Sequence, residues 1–281
     1  RLIQSTKRND NREEQMSQPQ EVLYEVSEHV ATITLNAPER MNTISGPMLD
    51  QLTERLLEAN ADSNVRVVIL TGAGRAFCAG LDLRAQTGGG GTGILSGSVV
   101  STTLNLRHTP PTVLHEMEKP TICALNGGAA GYGMDTALGC DMRIMAKSAK
   151  LAAAFCKRGL VPESGGTWFL PRLIGWEKAA KLIFTGRTLS AEESVEWGLA
   201  TEAVADDELM PRARALAKEI ASNAPLAVQA AKRMMRMGLN EPFPEHVHHV
   251  YLQLLPLMRT EDVKEGMTAF MEKRQPKFVG R

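Results

Sequence analysis

The chain has no excess of either charge: Lys+Arg and Asp+Glu are both 32 in 281 residues, and the formal net charge is zero. Zero net charge argues against a general polyanion-binding role, so a nucleic-acid partner is not expected. A local basic patch for one phosphate group remains compatible. Cysteine is scarce. Cys78, Cys123, Cys140 and Cys156 form no CxxC pair and have no ligand-like histidine spacing. A disulfide framework and a bound metal are therefore not expected, and the thiols read as small buried residues of a reducing compartment. No apolar run approaches the ~20 residues of a membrane-spanning helix. Residues 1–15 are polar and charged without an apolar stretch, so they are not expected to be a secretory signal. Met16 reads as a natural start, with residues 1–16 a disordered extension or tag. His246, His248 and His249 crowd one late helix, where they fit a solvated or interface face. Ser164 has no evident histidine partner, so a nucleophilic triad is not expected.

What is present is an α/β pattern long enough for one domain and an appendage. Residues 22–35 alternate in two pieces around Glu28 and His29, the signature of a hairpin. Met48, Leu52, Leu56 and Ala59 share one helical face. Residues 65–70, 121–125, 141–145 and 151–155 read as strands. From about residue 206 the pattern is wholly helical, with helices predicted over 209–220, 225–237, 245–257 and 261–271. Met234, Met235, Met237, Leu254, Leu255, Leu257 and Met258 give this part apolar surface. Residues 88–93 are too glycine-rich to hold a fixed shape and read as a mobile loop.

Two glycine-bracketed turns stand out: Phe77-Cys78-Ala79-Gly80-Leu81-Asp82-Leu83 and Asn126-Gly127-Gly128-Ala129-Ala130-Gly131-Tyr132-Gly133-Met134-Asp135. Each follows an apolar strand and leads toward a helix. Two such turns can aim two peptide N–H groups at one oxygen, an oxyanion hole.

Together with Asn36-Ala37-Pro38-Glu39-Arg40-Met41-Asn42, Lys119-Pro120-Thr121, Cys140-Asp141-Met142-Arg143, Leu170-Pro171-Arg172, Thr185-Gly186-Arg187 and Trp197-Gly198-Leu199, these motifs make the chain resemble the crotonase, or enoyl-CoA hydratase/isomerase, superfamily. The resemblance runs from about Val22 to the C-terminus. It implies a spiral of ββα units forming two roughly perpendicular sheets over residues 17–205, and a helical trimerisation region over 206–281. It implies an acyl-CoA substrate, with coenzyme A as part of that substrate and no separate cofactor. It implies a homotrimer or dimer of trimers, in the cytoplasm, or in a mitochondrion or peroxisome if the source is eukaryotic. The backbone N–H groups of Leu81 and Tyr132 fall at the two oxyanion positions. Many relatives have glycine where this chain has Tyr132, whose side chain crowds the acyl pocket.

Family hydratases use two glutamates, and those positions here are Asp135 and, twenty residues on, Phe155. Phenylalanine moves no proton and instead walls the acyl pocket. Enoyl-CoA isomerases carry a catalytic acid at the position of Glu163. The resemblance therefore implies 3-enoyl to 2-enoyl isomerisation with Glu163 as the proton shuttle. The alternatives are hydration by Asp135 with Glu163, hydrolysis of a CoA thioester or diketone, and a scaffold that binds CoA without turnover. The CoA positions are Arg40, Met41, Ala79, Leu81, Asp82 and Leu83, with Phe270 and Lys273 reaching the CoA of a neighbouring subunit. Asp82 also suits a cap for the next turn. His108 and His115 flank the pocket segment, with a minor role if the chemistry is hydrolysis.

Overall fold

The computed structural model describes residues 20–82 and 109–281. The expected N-terminal extension, Leu83, the 88–93 glycine loop and His108 lie outside the described residues. The hairpin forms as read: β1 (Val22–Ser27) pairs antiparallel with β2 (Val30–Leu35). Glu28 (φ 48) and His29 (φ 66) both turn left-handed, the geometry a tight two-residue hairpin requires.

Helix α1 (Gly46–Ala61) opens with Ser45, whose Oγ accepts the Met48 N–H at 3.1 Å. Its predicted face is fully sequestered: Met48, Leu52, Leu56 and Ala59 are all 0% exposed. The next strand, β3 (Val67–Gly72), begins two residues later than its apolar run. Val65 N–H is committed to Asp62 O in the turn that closes α1.

From here strands come in pairs, one for each of two sheets. β3 is followed by β4 (Ala76–Cys78), β5 (Thr121–Leu125) by β6 (Gly128–Ala130), and β7 (Met142–Ala146) by β8 (Lys150–Ala152). The first members pair in parallel with β2 and with β10 (Glu202–Val204), giving a six-stranded sheet ordered β1-β2-β3-β5-β7-β10. The second members and β9 (Thr188–Ser190) make a four-stranded sheet ordered β4-β6-β8-β9. Helices α2 (Pro110–Glu116), α3 (Tyr132–Gly139) and α4 (Gly166–Thr185) precede or follow the pairs. This is the expected succession of ββα units. The strand read over 151–155 stops at Ala152. Phe155 is helical (φ −65, ψ −58), and its carbonyl receives Arg158 and Leu160 N–H in a 3-10 turn.

Two motifs outside the glycine turns are structural. Asp141 Oδ2 accepts from Thr121 N–H and from Lys232 Nζ, both at 2.7 Å. The buried Arg143 spends its donors on main-chain carbonyls, with Nε on Leu199 O and Nη1 on Cys140 O. Buried charge is tolerated only when it is answered in this way. Three cysteines are buried, but Cys156 is exposed, because it starts the surface 3-10 turn after Phe155.

After the short α5 (Ala191–Trp197) and β10 come α6 (Leu209–Ala221), α7 (Pro225–Gly238), α8 (Phe243–Leu257) and α9 (Glu261–Glu272). α6 presses Ala213 and Ala217 on the large sheet. The predicted apolar surface divides. Met234 packs inward, whereas Met235 (73% exposed), Leu254, Leu255 and Met258 remain on the outside, and α8 buries no residue at all. No helix among the described residues is long and apolar enough to cross a membrane.

Candidate active site

A cavity of about 420 Å³ opens between α1, α2, the start of α3 and the turn before α4. Leu81, Tyr132 and Glu163 all border it. Residues from three separate motifs therefore meet at one space.

The two turns approach because glycine lets them. Gly80 has φ +106, and a Cβ there would lie 3.0 Å from Ala130 O and 4.0 Å from Tyr132 N. A Cβ on Gly133 would lie 2.3 Å from Cys78 O, so α3 sits directly on β4. Leu81 forms a parallel bridge with Ile44 in which Gly80 O and Asp82 N–H make the bonds. The N–H of Leu81 itself points away from that bridge. Tyr132 is the first residue of α3, where a helix leaves its N–H groups unpaired and carries its positive end. No hydrogen bond among the described residues uses either N–H. In a water-excluding site such donors stabilise developing negative charge by ~2.7–4 kcal/mol each.

The tyrosine side chain is buried, and its hydroxyl has no partner among the described residues. Burial raises its pKa, and the nearby Cys78, Glu163 and Asp135 push in the same direction. The phenol is neutral at any ordinary pH.

The two carboxylates differ in kind. Glu163 borders the cavity while remaining exposed. Desolvation by the cavity wall raises its pKa, opposed by its own backbone N–H and by Ser164. The sequence places it at a helix start, but α4 begins at Gly166 and Glu163 stands in the preceding turn. Asp135 is 0% exposed and does not border the cavity. Its Oδ2 accepts the N–H of Gly166 at 3.1 Å and of Ser164 at 3.3 Å, capping α4 from a different helix. Its Oδ1 has no partner among the described residues. Burial pushes its pKa up to about 7, with the Gly166 N–H opposing, the Glu163 charge adding to the rise and the Ser164 N–H opposing.

Phe155 is buried behind the second turn, 3.9 Å from where a Cβ of Gly131 would stand, and it does not border the cavity. The expectation that it walls the acyl pocket is not met: Phe155 packs behind the Gly131 turn instead. The reason is the 3-10 turn, which draws its backbone away from β8.

The CoA positions form a strip. Ala79 N–H donates to Met41 O at 3.0 Å, and Asp82 N–H to Ile44 O at 2.9 Å. Arg40 lies alongside, paired with Glu21 at 2.7 Å and 4.0 Å from Asp82. Phe270 (84% exposed) and Lys273, at the left-handed end of α9, are not brought to the cavity within one chain.

His115, Trp168 and Phe169 also border the cavity. Sequence reasoning assigned His115 only a minor place and passed over the other two. The signal was the Trp168-Phe169 pair soon after Glu163, on the turn of α4 that faces back toward it. Burial and the neighbouring Arg236 lower the pKa of His115, so its imidazole is neutral near pH 7. Among the described residues no group of three His, Cys, Asp or Glu is gathered to hold a metal ion.

Paired glycine turns on a two-sheet spiral, with free N–H groups beside a carboxylate, define a class of enzymes that polarise a carbonyl next to an acid or base. The sequence pattern of the enoyl-CoA hydratase/isomerase family matches residues 25–281, and the chain belongs to that family, within the crotonase superfamily. It is 39% identical over 266 residues to the 1,2-epoxyphenylacetyl-CoA isomerase of Escherichia coli, covering 92% of this chain and 98% of the relative. It is 38% identical over 261 residues to the (E)-benzylidenesuccinyl-CoA hydratase of Thauera aromatica, covering 92% and 99%. The crystal structure of an enoyl-CoA hydratase from Bacillus anthracis superposes with a TM-score of 0.84 at 36% identity, covering 93% of this chain and all of that one. The chain is therefore an enzyme of a family that acts on CoA thioesters.

Proposed function

We propose that this enzyme shifts a double bond from the 3- to the 2-position of an enoyl-CoA thioester. The thioester oxygen accepts the Leu81 and Tyr132 N–H groups. The Glu163 carboxylate removes a proton from C2, and the charge spreads over the dienolate onto that oxygen. The protonated Glu163 then delivers the same proton to C4. No water, metal or separate cofactor takes part. The observation that carries this reading is the disposition of acids: among the described residues, Glu163 is the carboxyl that borders the cavity with Leu81 and Tyr132. Its raised pKa suits a base that must also give its proton back.

Hydration is the second reading, and the name of the Thauera relative keeps it in view. It needs a second group to handle water. Phe155 offers none, and Asp135 is committed to the turn before α4. Incubating a 3-enoyl-CoA and a 2-enoyl-CoA separately distinguishes them. The isomerase reading expects the 2-enoyl product from the first and no 3-hydroxyacyl-CoA from the second. The Glu163→Gln variant is expected to lose ~10²–10⁴ in turnover; near-wild-type isomerisation by it would refute the assignment.

The CoA arm follows the Arg40-Met41 and Ala79-Asp82 strip, and a neighbouring subunit supplies Phe270 and Lys273. The exposed apolar residues of α8 and α9 fit burial in a trimer or dimer of trimers. Light scattering coupled to size exclusion is expected to return three or six chains; a monomer at micromolar concentration would refute it.

A further inference from the structure

One wall of the cavity is built from rings. Aromatic residues are few here, with Trp 3, Tyr 3 and Phe 7 in the whole chain. Yet Tyr132, Trp168 and Phe169 border this one cavity together with the imidazole of His115. The last three touch one another in every combination. Ring centroids are 5.0 Å apart for His115–Trp168, 5.7 Å for His115–Phe169 and 5.2 Å for Trp168–Phe169, with interplanar angles of 68°, 72° and 88°. Edge-to-face contact at these distances is the preferred geometry of aromatic quadrupoles.

The cluster is also held from behind. The Arg172 guanidinium lies 4.1 Å over the Trp168 ring and donates to Trp168 O. Phe169 lies so close to Gly165 that a Cβ there would be 2.7 Å from its Cε2. On the other side lies a second cavity of about 610 Å³, which shares His115, Trp168 and Phe169 with the first. The three rings are therefore a partition between two spaces. All three are half-buried, so their inner edges remain open to an occupant.

We propose that the acyl group taken by this enzyme ends in a flat ring seated against the His115–Trp168–Phe169 partition, and that the partition bars long straight acyl chains. This rests on the enoyl-CoA reading above for the thioester and its position. A ring adds one more edge or face to an assembly already arranged that way. An apolar void of ~150 Å³ is enough to hold benzene, so about 420 Å³ admits a ring with its thioester carbonyl. A straight chain of equal carbon count is longer and must pass the partition to extend.

The test is calorimetric binding of two saturated, unreactive thioesters with ten acyl carbons each, 4-phenylbutanoyl-CoA and decanoyl-CoA. Wild-type enzyme is expected to bind the phenyl compound tighter by roughly three- to ten-fold. Trp168→Ala joins the two cavities and is expected to reverse the order, while Trp168→Phe keeps it. Equal or tighter binding of decanoyl-CoA by wild type would overturn the proposal, as would an unchanged ratio in a folded Trp168→Ala. If Trp168→Ala does not fold, the wild-type pair alone decides. Because neither thioester reacts, a ring preference without isomerisation of any 3-enoyl-CoA would sink the proposed reaction and leave this inference standing. Isomerisation without a ring preference would do the reverse.

Discussion

The two halves of the site are built on different principles. The donor half is backbone: two turns anchored to β4 and to the first turn of α3, locked by contacts too close for any side chain at Gly133. The acid half is side chain: Glu163 stands in a turn outside regular structure, held from beneath by two N–H bonds to one buried aspartate. A backbone donor cannot be deleted without moving the chain, whereas a side-chain acid can be removed cleanly. Mutations should therefore damage fold and activity together in the first half, and separate them in the second.

The largest effect is expected in the donor half. Gly133→Ala drives a methyl into Cys78 O and should cost about 3 kcal/mol or more of stability. Activity should fall at least ~10²-fold with the displaced Tyr132 N–H. Thermal melting and kcat/KM together check this, and a normal melting temperature would contradict the packing described.

Glu163→Gln comes next, with its loss of turnover. It sharpens the contrast because its melting temperature should stay near that of wild type. A large loss of stability would mean that Glu163 belongs to the scaffold.

Asp135→Asn tests the support beneath Glu163. The ordinary carboxyl value is 3.8 and the folded one about 7, so the folded state holds the proton more tightly. The resulting stabilisation is full below pH 4 and is lost as pH rises toward 7, on the order of a few kcal/mol. The asparagine cannot ionise, so its denaturant midpoint should change less than that of wild type between pH 5 and pH 8. Parallel pH profiles for the two proteins would show that Asp135 titrates normally.

The smallest effect is expected from Tyr132→Phe. It removes a buried hydroxyl that has no partner among the described residues and leaves the donor N–H in place. Stability should rise by about 1 kcal/mol, with turnover changed only a few-fold. A large loss of turnover would instead give the phenol a part in the reaction.

Much of the large sheet was legible because its strands are continuous apolar runs, and α1 because its buried face repeats at helical spacing. The end of β8 was not legible: apolar residues continue to Phe155, but the carbonyl of that residue is taken by Arg158 and Leu160. The offset of α4 from Glu163 was hidden too, because its cap comes from Asp135, which is remote in sequence. Trp168 and Phe169 read as ordinary helix residues until the fold set them beside His115.

By itself the sequence determined which turns must be glycine-rich, that Phe155 stands where family hydratases carry an acid, and that Asp135 and Glu163 are the acids left beside those turns. These are matters of residue type and spacing, which local chemistry reads directly. Only the tertiary structure decided that Asp135 faces inward to hold a turn while Glu163 faces the cavity. Both are carboxylates in the sequence, and what separates them is burial and hydrogen bonding imposed by elements far apart along the chain.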